Sequence, residues 1–203
     1  MIQVSQFFSI IVLLFSVIIH EVSHGWAAFK LGDDTAEKMG RLTLNPLPHL
    51  DLWGSILMPL LLFLSTGGKF VFGYAKPVPF NPLNLKHPRR DSAILAFAGP
   101  LANLILALIF GILIRILISL HLFINLIVYF QIIVFTNLVL AIFNLIPIPP
   151  LDGSKILFYF WPSYKLELFL SQYSFIILIL FILFGWNLVY PLISLLFHLL
   201  TGM

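Results

Sequence analysis

The sequence contains no cysteine. Disulfide frameworks and thiolate metal sites are therefore excluded, and any metal ion must be held by His, Asp or Glu. Charge is nearly as scarce. Asp, Glu, Lys and Arg make up 9% of the 203 residues, where soluble domains carry about a quarter. Hydrophobic residues supply 61%. That balance excludes a soluble globular domain and implies an integral membrane protein. The most polar region, residues 31–51, is shorter than the roughly 50 residues an independent domain needs. The chain therefore reads as one membrane domain, residues 1–203, with no room for an appended module. A nucleic-acid-binding face is missing too, because the 11 Lys and Arg gather mostly in two loops. The first residues, MIQVSQFFSI, lack a basic region and a small-residue cleavage site, so they read as a retained span rather than a signal peptide.

What is abundant is apolar length. A first span is expected over about residues 5–29, and two long ones over about 92–119 and 124–146. The segment 52–65 is short for a crossing, which takes about 20 residues. Lys30, Lys38 and Arg41 precede it, and Lys69, Lys76, Lys86, Arg89 and Arg90 follow it. A full crossing would put one basic loop outside, against the positive-inside tendency, so 52–65 reads as re-entrant with both loops cytoplasmic. IPIPPLDG then breaks the third span, because each proline removes a backbone donor. A helix restarts at about 152–161. The apolar tail 168–200, with Gly185, Asn187 and Pro191 in its middle, reads as two short spans or one interrupted one. The expected fold is an all-α polytopic membrane protein with about five to six membrane segments. Short extended stretches are expected in the 40–80 region, where MGRLTL and FVFGYAKPVPF are candidates for edge pairing with an unwound peptide.

Against this background the heptapeptide IHEVSHG, residues 19–25, is out of place. Two histidines and a glutamate at the end of FFSIIVLLFSVII are costly to bury unless something offsets the desolvation. His20 and His24 are four apart, so a helix puts both on one face, with Cβ atoms about 5–6 Å apart. Both imidazoles can then reach one metal ion. Glu21 points about 100° around the helix, beside the ion rather than on it. This is the H-E-x-x-H arrangement of zinc proteases, in which the glutamate takes a proton from water and passes it to the leaving amine. The bland alternative is a pair of core or interfacial histidines with a snorkelling glutamate.

A third ligand is needed. The other acids are Asp33, Asp34, Glu37, Asp51, Asp91, Asp152 and Glu167. All but Asp152 sit in loops or at span ends with basic neighbours. Asp152 lies in NLIPIPPLDGSKIL, between a broken helix and a new one, where it could bind metal, cap the helix, or do both. On the expected topology the first and third long spans both run inward, so His20, His24 and Asp152 fall at a similar depth toward the cytoplasmic side.

HEVSH in the first span, together with NLIPIPPLDG in a later one, resembles the site-2 protease family of intramembrane zinc metalloproteases. GRLTLNPLPHLDLWGSILMP, FGYAKPVPFNP and FAGPLANL extend the resemblance to compact members without PDZ or CBS domains, over about residues 15–160. The resemblance implies one Zn²⁺ held by His20, His24 and Asp152, with Glu21 as general base. It also implies that Asn144 contacts substrate or oxyanion. Asn137, seven residues earlier on the same helix face, could hydrogen-bond an unwound substrate or a neighbouring helix, the latter being the commoner use. Asn103 and Gly99 in GPLANL suit close helix approach. His49 could near the site through the PLPHLD turn, and Arg115 reads as a snorkelling span-end residue.

The expected function is therefore hydrolysis of peptide bonds within or near transmembrane segments of membrane-anchored substrates in the cell membrane. The expected catalytic core is about residues 5–160, with accessory spans at 168–200. The expected partners are transmembrane substrates and the bilayer. Two other classes compete: a metal-ion transporter, for which no internal repeat is visible, and a non-catalytic scaffold, which would not need Glu21.

Overall fold

The computed structural model describes residues 2–65 and 76–203. Helix α1 runs Ile2–Lys30, followed by the short α2, Thr35–Lys38. A π-helical turn, Leu52–Leu57, leads into the eight-residue α3, Met58–Ser65. The remaining helices are α4 (Pro88–Ser119), α5 (Ile124–Asn144), α6 (Asp152–Phe160), α7 (Tyr164–Leu180) and α8 (Trp186–Thr201). A π-helical turn at Phe181–Gly185 joins α7 to α8. The fold is all-α.

Four helical stretches are long and apolar enough to cross a membrane: Val4–Lys30, Pro88–Ser119, Ile124–Asn144 and Tyr164–Thr201. The tail is thus one helix of 38 residues with an interruption, not two spans. Its glycine and proline are tolerated because a π turn absorbs the register change without breaking the apolar rod. The segment Leu52–Ser65 stays too short to join the four by length. No strand occurs among the described residues, which corrects the expectation for MGRLTL. MGRLTL forms turns and bends, with Gly40 at φ +65° and the Arg41 guanidinium donating to the carbonyl of Pro48. Lys76 to Phe80 is irregular coil, and residues 70–75 of the other candidate lie outside the described residues.

Helix α4 is the centre of the bundle, packing on α1, α5, α6 and α8. The reason is a ridge of residues four apart. Asp91, Leu95, Gly99, Asn103, Ala107 and Gly111 are all buried along one face. Helix α1 answers with its own four-residue ridge, Val12, Ser16, His20, His24 and Ala28, also buried. Small residues on such ridges let backbones approach closely, which in lipid drives association better than hydrophobicity does. Beyond the polar crossing lies a separate apolar cluster of Ala107, Ile114, Ile127, Val134, Leu138 and Ile193, joining α4, α5 and α8.

Candidate metal centre

The two ridges meet where α4 has its glycine and α1 its histidines. A Cβ added at Gly99 would lie 2.5 Å from His24 Nε2 and 2.6 Å from His20 Nε2. No side chain larger than hydrogen fits there, so Gly99 forms the floor on which both rings rest.

Hydrogen bonds fix the tautomers. His24 Nδ1 lies 2.7 Å from the carbonyl of Leu95, which can only accept, so Nδ1 carries the proton. His20 Nδ1 lies 2.6 Å from Asn103 Oδ1. The Asn103 amide nitrogen donates to Asn137 Oδ1 at 2.8 Å and to the carbonyl of Ser16 at 3.2 Å. Its oxygen must therefore face His20, whose Nδ1 is again the donor. Asn137 completes the chain by donating to Ser16 Oγ at 3.0 Å and to the carbonyl of Ile133 at 2.9 Å. Both Nε2 atoms are left with their lone pairs directed into the site. An outer partner that orients a histidine and raises its basicity is the usual support of a metal ligand.

Asp152 faces those lone pairs. Its Oδ2 lies 3.1 Å from His20 Nε2 and 3.1 Å from His24 Nε2. It is the first residue of α6, and its carboxylate turns to the histidines rather than capping the helix. The local chain forces this placement. A Cβ at Gly153 would lie 2.2 Å from the carbonyl oxygen of Leu145, so the proline-rich loop folds directly onto the start of α6. Lys155 Nζ sits 3.5 Å from the other carboxylate oxygen, Oδ1. The ligand atoms of His20, His24 and Asp152 all lie within 4.8 Å of one another, and all three residues are buried. Two imidazole nitrogens and one carboxylate, with the Nε2 lone pairs convergent, are a donor set that fits catalytic zinc.

Glu21 is half-buried beside this cluster, and its Oε2 accepts the backbone N–H of Val78 at 2.9 Å. Val78 stands between Pro77 and Pro79, so its amide is the single N–H of that tripeptide. The segment around it is a strap tied down at three points. The amide of Lys76 donates to the carbonyl of His49 at 2.9 Å, that of Val78 to Glu21, and that of Asn81 to Asp33 Oδ2 at 2.7 Å. Asp33 also accepts from Thr35 and Asn84. Burial works to raise its carboxyl, but these hydrogen bonds outweigh it and hold the group below the usual carboxylate range. Under the strap, Gly25 leaves room for the side chains of Leu42 and Val78, which a Cβ would meet at 2.6 Å and 2.8 Å.

The other singled-out residues are distributed differently. Asn137 is fully buried between helices, linked to Ser16 and Asn103. Asn144 is half-buried at the end of α5, its amide donating to the carbonyl of Leu140 at 2.9 Å. His49 Nε2 donates to the carbonyl of Thr43 at 2.9 Å and secures the turn before the strap rather than the triad. Arg115 donates to the carbonyls of Leu199 and Leu200, satisfying the end of α8. Sequence reasoning missed the roles of Gly99, Asn103, Leu95 and Val78 around the site. Asn103 and Gly99 carried a signal, since an amide in an apolar span must find a partner and a glycine on the same face permits close approach.

Residues 8–185 match the family described as peptidase family M50. YwhC of Bacillus subtilis, provisionally named a zinc metalloprotease, is 43% identical over 157 residues, 73% of this chain and 66% of its own. Rip2 of Mycolicibacterium smegmatis, with the same provisional description, is 35% identical over 142 residues, 69% of this chain and 52% of its own. Rip2 of Mycobacterium tuberculosis is 33% identical over 141 residues, with the same coverage of 69% and 52%. The chain thus spans between half and two thirds of the length of these curated relatives. No solved structure matches it. The buried histidine pair, the carboxylate brought to it across the bundle and the match over most of the sequence agree, and this multi-pass membrane protein belongs to peptidase family M50.

Proposed function

We propose that the chain is an intramembrane zinc metalloprotease that hydrolyses peptide bonds within or near transmembrane segments of membrane-anchored proteins. The observation that carries this is the convergence of two oriented Nε2 lone pairs on Asp152 Oδ2, with Glu21 one residue along the helix from His20. His20, His24 and Asp152 would hold the zinc ion. When bound there, zinc supplies Lewis-acid chemistry, polarising a scissile carbonyl and making water a stronger acid. The zinc-metalloprotease names of the relatives support the same reading.

The chain's own groups supply the rest. Glu21 takes the proton of the attacking water and delivers it to the leaving amine. The Val78 amide occupies only Oε2, which fixes the carboxylate's direction and leaves Oε1 to handle the proton. Asn144 contributes an amide at the end of α5 for substrate or oxyanion, and Asn137 acts at one remove, holding Asn103 and hence His20. Burial of the triad between helices keeps the reacting groups out of lipid. The active site faces the cytoplasmic side of the cell membrane, with the N-terminus outside.

The test pairs zinc content with cleavage of a labelled transmembrane peptide by purified protein. Wild type should carry about one zinc and cleave. Glu21→Gln should keep the metal and lose cleavage, and Asp152→Ala should lose the metal. Metal retained with no Glu21-dependent cleavage of any peptide would shift the reading to transport or scaffolding.

A further inference from the structure

Next to the triad, on the far side of Lys155, lies a pocket of about 290 Å³. Its walls come from four segments: Phe80 of the strap, Pro88 and Arg89 at the start of α4, Lys155 and Tyr159 of α6, and Glu167 of α7. Two walls are shared with the site. Lys155 touches Asp152 at 3.5 Å, and Phe80 is two residues beyond the amide that holds Glu21. The Lys155 ammonium sits over the Phe80 ring at 5.5 Å, which keeps the charge at the pocket wall.

The charges are unequally committed. Arg90 is paired with Asp91 at 3.0 Å, and Asp91 also accepts the amide of His87. Arg89 has no ion-pair partner among the described residues, although Glu167 lines the same pocket. A divalent ion at the triad would take over the charge of Asp152 and leave Lys155 to the pocket. The balance is then two cations against one carboxylate, with aromatic and proline walls. We propose that this pocket is a specificity subsite that receives an acidic side chain of the substrate, a few residues from the scissile bond. This rests on the proteolytic reading above and names the substrate feature that the same site selects.

The experiment uses one transmembrane peptide with Asp, Asn or Lys placed in turn along its juxtamembrane segment, presented in phosphatidylcholine proteoliposomes. At one register the Asp peptide should show a KM about three- to tenfold below the Asn peptide, with the Lys peptide poorest. Arg89→Glu should invert that order while zinc content stays unchanged. Fluorescence binding of the same peptides to Glu21→Gln, with and without Arg89→Glu, should give the same order without turnover. Cleavage of all three peptides with equal KM at every register would overturn the subsite and leave the protease standing. A charge effect that follows added phosphatidylglycerol rather than the peptide would also overturn it, in favour of lipid headgroup contact at Arg89. If zinc-loaded wild type cleaves no peptide, the protease reading fails, and the binding order alone decides the subsite.

Discussion

The crossing of α1, α4, α5 and α6 and the free half of the C-terminal helix are made from opposite materials. At the crossing, His20, Asn103, Asn137, Ser16 and Asp152 are buried, and each finds a polar partner. In α7 no residue is buried, and Phe175, Ile176 and Leu168 are exposed. In water this would be inverted, and α7 would be an aggregation hazard. In a bilayer the lipid is as apolar as the side chains, so leucine against leucine gains little over leucine against lipid. Close backbone approach at small residues and mutually satisfied amides determine which helices associate. The polar crossing is therefore both the proposed metal site and the specifying contact of the bundle.

The sharpest way to break the contrast is Gly99→Ala. Its methyl would enter the space of both imidazoles, so most of the bound zinc should be lost while circular dichroism still reports full helicity. Zinc binding at wild-type strength would refute the floor role. Asn103→Leu removes the acceptor of His20 and should weaken zinc affinity about 10–100-fold in a competition titration. Val78→Pro deletes the amide donated to Glu21. It should lower kcat about tenfold or more at unchanged zinc content, whereas Val78→Ala, which keeps the amide, should not. An equal loss in both variants would reduce the strap to packing. Ile176→Ala on α7 should stay within about 0.5 kcal/mol of wild type in a reversible unfolding assay in bilayer-like detergent.

The sequence made parts of this arrangement legible and concealed others for physical reasons. His20, His24 and Asp152 stood out because ionisable groups in apolar spans demand an explanation, and helical spacing made the histidine pair mutually accessible. The spans followed from apolar length alone. Part of what α4 and the strap contribute was hidden. Leu95 acts through a carbonyl that every residue possesses, Val78 through an amide, and Gly99 through the absence of a side chain. A carbonyl and an amide leave no mark in residue type, and a glycine signals close approach without saying what approaches. MGRLTL, expected to be extended, is not. Gly40 at positive φ and the inward Arg41 turn the chain instead. Gly185 and Pro191 left two short spans or one interrupted one open, and a π turn carries the chain through as one.

The length of that last helix has a mechanical consequence. Its 38 residues extend about 57 Å at 1.5 Å per residue, against a hydrocarbon layer of about 30 Å. Hydrophobic mismatch of that size is relieved by steep tilt, by bending at the π turn, or by local thickening of the bilayer. One end is fixed, since Gly111 of α4 approaches Leu200 so closely that a Cβ would fall 2.8 Å from its side chain. The other end leads into Glu167, at the rim of the pocket beside Lys155. A rod anchored at one end and longer than the layer it crosses must tilt or bend, and membrane thickness sets by how much.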